Sequence, residues 1–453
     1  MSHWQTLYQE KLKSADEVAS WVKDGDHVEY SPFVTIPWDL DAALARRKDE
    51  LHKVFVRCTT LMWVPEVFKA DPQGETFLLC DGSFSAVTRK LKSKGELYIN
   101  PCLYHEAPML YTRGVLHNEY LFLAATPMDK DGFFNLSTSA SSHMDMLRAR
   151  SGHQSNLKVV LEVNEALPTV QGDNYLHISE LDAVVESSQP RKPMAIGTAE
   201  PTEIDAKIAQ FILEEMTDGA CLQLGIGGMP NLVGKMLAES SLKDLGCHSE
   251  MFVDAYMDLF NAGKLTNACK QQDIGKSVFT FAMGSEALYQ FLDKNPSMRC
   301  MPVSYTNDPA VIARNRRVYS ICSCLAVDLF GNVSSESVGF KQISGTGGQW
   351  DYHYASFHSE EGKGFLCMPS SKVTKDGTRV SNIVISHAPG TQITVSGNTT
   401  NYVVTEYGIV NLKGLTTWEK VEALVSIAHP DFRDELFRAA EQARIWRPQN
   451  KVI

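Results

Sequence analysis

DGACLQLGIGGMPNLVGKMLA, residues 218–238, opens with an Asp-Gly turn and continues as an apolar run, Ala220 to Leu224, of strand length. Gly225, Gly227 and Gly228 follow, and Pro230 stands at a favoured early helical position before Leu232, Val233, Met236 and Leu237 recur at helical spacing. Strand, glycine turn and helix in that order make an α/β unit. The N-terminal stretch DGDHVEYSPFVTIPWDLDAALA, residues 24–45, repeats the plan 194 residues earlier, with Asp24-Gly25, a strand, a loop, Pro37 and a helix. A second echo pairs TPMDKDGFFNLS (126–137) with LAVDLFGNVSSE (325–336), so that Asp129 and Gly132 match Asp328 and Gly331 at an offset of 199. Either echo alone is chance. Two in the same order at nearly one offset predict two related open α/β lobes, residues 1–190 and 200–453, joined through a linker containing Pro190, Pro193 and Pro201.

Within each lobe, short β-rich runs (VFVRCT, KVVLEV, MFVDAY, SVFTFAM, NIVISH) alternate with helical stretches (TEIDAKIAQFILEEM, SEALYQFLDKN). That alternation predicts mostly parallel sheets covered by helices. The amphipathic stretch 416–444 closes the chain helically. The ten cysteines are scattered and form no CxxC pair, which points to free thiols in a reducing cytoplasm and away from structural zinc. No apolar run reaches the length of a membrane helix, and the first residues lack the pattern of a secretory signal. The net charge of −11 argues against a nucleic-acid partner but leaves room for a local phosphate site.

Three places could carry chemistry. Glycines 225, 227 and 228 before a helix let backbone N–H groups approach an anion or oxyanion, although a tight strand-to-helix turn needs the same residues. The run is not GxGxxG, and no ribose-binding acid follows a later strand, so a nicotinamide-dependent oxidoreductase is a distant alternative. Glu250, in HSEMFVDAY, stands just ahead of an apolar strand; such an acid is ordinarily a solvated side chain, but neighbouring strands would bring it beside the 225–229 loop. GFKQISGTGGQWDY supplies a second glycine loop, Gly345, Gly347 and Gly348, flanked by Gln349 and Asp351. Two glycine loops and one acid suit a carboxylate nucleophile whose tetrahedral intermediates need oxyanion donors.

Taken together, GIGGMPNLV, LGCHSEMFVDAY, SYTNDPAVIARN, SGTGGQWDY and VVTEYGIVNLKG resemble, in order, the acetyl-CoA hydrolase/transferase family. The branch they most resemble is that of the 4-hydroxybutyrate and butyryl-CoA:acetate CoA-transferases, and the likeness runs along nearly the whole chain. The resemblance implies a fold of the class I CoA-transferase type with the active site between the lobes, and a homodimer acting on acyl-CoA and small carboxylates. It implies coenzyme A as substrate and no further cofactor or metal. It assigns the nucleophile to Glu250 and CoA or oxyanion contacts to Gly225, Ile226, Gly227, Gly228, Met229 and Gly348, with the Ile226 amide as one donor. Lys372 falls where a basic residue meets CoA, Asn307 where the glutamate is positioned, and Glu406 where a second acid hydrogen-bonds near it. RKPMAIGTAEP offers no match to the arginine of a succinyl-transferring branch, which favours a monocarboxylate acceptor. An acyl-CoA hydrolase and a non-catalytic relative of the fold are the remaining alternatives.

Overall fold

A computed structural model describes residues 2–197, 200–225 and 227–450. The chain divides into two compact units, the first made of Met1–Ile196 with Val278–Thr306 and the second of Gly197–Ser277 with Asn307–Ile453. A single boundary at residues 190–200 gives everything after it to the second lobe; the return segment 278–306 belongs with the first unit instead. Its backbone explains why: Ala282 donates to Thr138, and Asp173 and Cys300 pair through the Asp173 N–H and Cys300 carbonyl at 2.9 Å.

The first unit is built on a seven-stranded parallel sheet. Its strands are β1 (His27–Tyr30), β2 (Val54–Cys58), β3 (Phe77–Asp81), β4 (Tyr98–Ile99), β5 (Tyr120–Ala125), β6 (Lys158–Val163) and β7 (Ala183–Glu186), in the order β4-β3-β2-β1-β5-β6-β7. The second unit has a six-stranded sheet of β8 (Cys221–Leu224), β9 (Gly246–Cys247), β10 (Val318–Ser323), β11 (Lys363–Cys367), β12 (Tyr402–Thr405) and β13 (Gly408–Asn411), ordered β9-β8-β10-β11-β12-β13. Only the β12–β13 hairpin is antiparallel. All six residues of β5 are buried, as are the first five of β10, which is what covering both faces of a parallel sheet demands of its central strands.

The two echoes are structural. β1 and β8 occupy equivalent positions at the offset of 194, and the preceding Gly25 and Gly219 have φ of 79° and 72°. Asp24 and Asp218 each accept a backbone N–H at 2.8 Å, from His52 and Lys243. The second echo is one turn built twice. Asp129 accepts from the N–H groups of Asp131 and Phe133, Asp328 from those of Phe330 and Asn332, and Gly132 and Gly331 take φ of 92° and 84°. An L-side chain at those φ values is strained, so the glycines are dictated by the turn.

Local readings shift in three places. MFVDAY is a strand only at Met251–Phe252, after which Asp254–Asn261 is helical. Of NIVISH, Ile383–Val384 forms a strand. The stretch VVESSQPRKPMAIGTAEPTE (184–203), which reads as linker, begins inside strand β7, Ala183–Glu186. At the next helix Thr202 and Asp205 exchange side-chain and backbone hydrogen bonds at the start of Glu203–Glu214. Among the described residues no helix is long and apolar enough to cross a membrane.

Helix α1 (Gly228–Glu239) packs closely on Asp254–Asn261 through Gly234, where an added Cβ would lie 2.4 Å from the Ala255 Cβ. Gly234→Ala should therefore destabilise by about 1–3 kcal/mol through overpacking, against about 1 kcal/mol gained in helix propensity. Adding Ala255→Gly should restore most of the loss, as read from denaturant unfolding of the single and double variants.

Candidate active site

β8 and β9 are adjacent and parallel with Leu222 opposite Cys247, so the loops leaving their C-terminal ends emerge side by side. One carries the glycines, the other Glu250. β9 is short and lies at the sheet edge. On its inner side Gly246 donates to Ala220 at 2.8 Å. On its outer side two side chains do the work of a further strand: Asn267 Oδ1 accepts the Cys247 N–H, and the buried Lys270 ammonium donates to the Cys247 carbonyl, both at 2.8 Å. Gly246 is required here, because a Cβ would meet Lys270 Cγ at 2.8 Å. Ser249 Oγ then donates to the Met251 carbonyl at 2.7 Å, closing the turn that presents Glu250.

The glycine helix starts earlier than Pro230. α1 begins at Gly228, with Gly227 as N-cap at φ 128°, so Pro230 is its third residue, where a missing N–H costs no helical bond. The Leu224 N–H donates to the Tyr256 hydroxyl at 2.9 Å, and Gly225 donates to Ile321 at 2.8 Å, which fixes the strand end before the loop. Met229 is buried. Ile226 lies outside the described residues.

Glu250 is half-buried as a residue, with its carboxyl end enclosed. The fully buried Asn307 donates through Nδ2 to Glu250 Oε2 at 2.7 Å and to Asp351 Oδ2 at 3.1 Å. The second glycine loop presses on the same carboxylate. A Cβ on Gly348 would lie 2.0 Å from Glu250 Oε2 and 2.3 Å from Asn307 Nδ2, and one on Gly347 (φ 52°) 3.6 Å from Oε1. Gly348 is also the N-cap of α2 (Gln349–His358), which brings its backbone up against Glu250. Burial raises the Glu250 pKa to about 8; Asn307 opposes the rise, the nearby Asp351 charge adds to it, and the Gly348 N–H opposes it.

Glu250, Asn307 and Gly348 thus come together, all in the second unit. Glu406 accepts instead from Ser370, from its N–H at 2.8 Å and its hydroxyl at 2.6 Å; the acid hydrogen-bonded to the Asn307 amide alongside Glu250 is Asp351. Lys372 is exposed on the Ser371–Val373 strand of a small hairpin with Arg379–Ser381. Asp351 was visible in the sequence only as a residue flanking the glycines, and Asn267 and Lys270 gave no signal at all. The spacing Gly348-x-x-Asp351 at a helix start was the one available clue. Cys247 is fully buried and its thiol pKa is pushed up by that burial, so it is a poor nucleophile.

The first unit carries different residues on the same frame. Matching β1 to β8 and following the strand registers, Thr59 stands where the second unit has Glu250. Glu162 of β6, the counterpart of Cys367, accepts the Asp39 and Leu40 N–H groups at 2.9 and 3.1 Å and so fills the helix N-terminus after β1.

Residues 1–196 match the acetyl-CoA hydrolase/transferase N-terminal domain and residues 284–440 the corresponding C-terminal domain. The chain is 42% identical to a butyryl-CoA:acetate CoA-transferase of Anaerostipes caccae over 98% of its length and 99% of the relative's. It is 35% identical to a 4-hydroxybutyrate coenzyme A transferase of Clostridium kluyveri, over 96% and 98% of the two chains. The crystal structure of RipA from Yersinia pestis superposes with a TM-score of 0.87 at 31% identity, covering 98% of this chain and all of that one.

Two outcomes test the geometry. Gly348→Ala should lower turnover by about 100-fold or more, since its Cβ must displace the carboxylate or the amide; steady-state kinetics on the folded variant check this. The raised pKa also has a sign for stability. The folded protein holds a proton on Glu250 that the unfolded chain releases, from the ordinary 4.5 up to about 8. Stability contributed by this group is therefore fully present below that window and lost across it. Melting temperatures of wild type should fall relative to Glu250→Gln as pH rises through the window and stay parallel above it.

Proposed function

The chain belongs to the acetyl-CoA hydrolase/transferase family, and from that premise we propose that it moves CoA between an acyl-CoA and a short-chain monocarboxylate through a covalent intermediate on Glu250. Acetate, butyrate and 4-hydroxybutyrate, the acids in the relatives' names, define the size class. The observation that carries the reading is the enclosed Glu250 carboxylate, held by the Asn307 amide and touched by the Gly348 backbone.

In this scheme the Glu250 carboxylate attacks the acyl-CoA carbonyl, and the tetrahedral intermediate expels CoA thiolate to leave an acyl-glutamyl anhydride. The thiolate then attacks the glutamyl carbonyl and releases the first acid, leaving a glutamyl-CoA thioester. An acceptor carboxylate runs the same two steps in reverse. One thioester is exchanged for another, so no ATP is consumed, and CoA enters as substrate with no further cofactor in the scheme. A weakly solvated carboxylate is the stronger nucleophile, which is what burial does to Glu250. The Gly348 N–H, already directed at Glu250, is suited to the oxyanion formed when the glutamyl carbonyl is attacked, a contribution of roughly 3 kcal/mol. The ten free cysteines fit a cytoplasmic setting.

Incubation with acyl-CoA and no acceptor should stall the protein with CoA attached at Glu250. Intact-protein mass spectrometry should show the mass of CoA less one water, and acetate or butyrate should remove it as the new acyl-CoA. Glu250→Gln should form no adduct. Release of free thiol at the same rate with and without acetate would make the protein a hydrolase, and peptide mapping of the adduct to Cys247 would overturn the carboxylate mechanism.

A further inference from the structure

Asp351 enters no step of the scheme above, yet it is completely buried within hydrogen-bond reach of the group that holds Glu250. It lies in the first turn of α2, three residues after the N-cap Gly348, a position where acids commonly serve the helix end alone. The Asn307 amide shows a second role. Its nitrogen gives one hydrogen to Glu250 and the other to Asp351, while its equally buried Oδ1 has no hydrogen-bond partner among the described residues. A planar amide held by both N–H bonds cannot turn over without setting its carbonyl oxygen against two carboxylates.

We propose that Asp351 is a positioning residue of the transfer reaction: it locks the Asn307 amide with its hydrogens toward Glu250 and keeps a second carboxylate beside the nucleophile. This rests on the reading of Glu250 as nucleophile. The second carboxylate has a chemical consequence. Free Glu250 is an anion facing another anion, whereas acylated or thioesterified Glu250 is neutral. Forming the covalent intermediate therefore relieves the repulsion, and Asp351 favours the intermediate over the free carboxylate.

The groups around Glu250 are consistent with a coupled pair. Asp351 raises its pKa, and Asn307 and the Gly348 N–H lower it. Its own charge is felt by the buried Cys322 thiol on β10 and the Tyr352 phenol on α2. His248, two residues before it on its own loop, is buried with its ring 6.4 Å from that of Tyr352.

The test is an infrared pH titration of the free protein, with the Glu250 carboxyl band identified by its loss in Glu250→Gln. In Asp351→Asn the Glu250 midpoint should fall by about one pH unit, and formation of the CoA adduct should slow about tenfold at pH values above both midpoints. Asp351→Glu, which keeps the charge, should keep the raised midpoint. A folded Asp351→Asn protein with the wild-type midpoint and adduct rate overturns the proposal. Where that variant does not fold, wild type decides: a Glu250 band coupled in two steps to a second carboxyl supports it, and a single step in the ordinary carboxylate range overturns it. A wild type that forms no adduct removes the premise. An adduct in wild type with Asp351→Asn matching it throughout removes the coupling alone.

Discussion

A carboxylate can act as a nucleophile only if it is ionised, and it is a good one only if water does not cover it. These demands oppose each other, because removing water raises the free energy of the charged form. In the proposed scheme that conflict falls on Glu250. Burial drives its pKa up, and the Asn307 amide and Gly348 N–H restore part of what hydration supplied. Each donor is fixed before reaction, so it need not reorganise as charge moves during it.

The geometry is held from beneath by an edge strand that is not left as an edge. β9 is only two residues long, and an unpaired edge this short would fray. Asn267 and Lys270 bond the Cys247 N–H and carbonyl from outside, while β8 pairs it from inside. Burying a lysine is costly, and it is tolerated because its ammonium donates to two carbonyls, those of Cys247 and Lys276. The residues from Cys247 to Glu250 thus start from an anchored peptide.

The repeat places this site by contrast. Both units carry the same Asp-Gly turn, central strand and Asp-x-x-Gly turn, so these features do not distinguish them. The difference lies in what stands at the strand ends. In the first unit Thr59 occupies the position that Glu250 holds in the second, and Glu162 occupies the helix N-terminus with the protein's own carboxylate. In the second, the corresponding residues are Glu250 and Cys367, and glycines bring backbone close to the acid.

Whatever depends on local rules and on order along the chain is legible in the residues alone. The Asp-Gly turns, the glycines at positive φ, the buried parallel strands and the capped helices follow from residue type and spacing, and the two echoes made the repeat readable. Ordered motifs also singled out Glu250, Asn307 and Gly348. Tertiary structure decided which groups share a hydrogen-bonding atom, because that depends on register and on side-chain reach over separations of tens of residues. It placed Asp351 rather than Glu406 on the Asn307 amide, tied Lys270 to Cys247 across 23 residues, and returned Val278–Thr306 to the first unit. An acid three residues after a glycine looks the same in sequence whether it caps a helix or shares an amide with a second acid. Only the fold of the chain around Asn307 sets the difference.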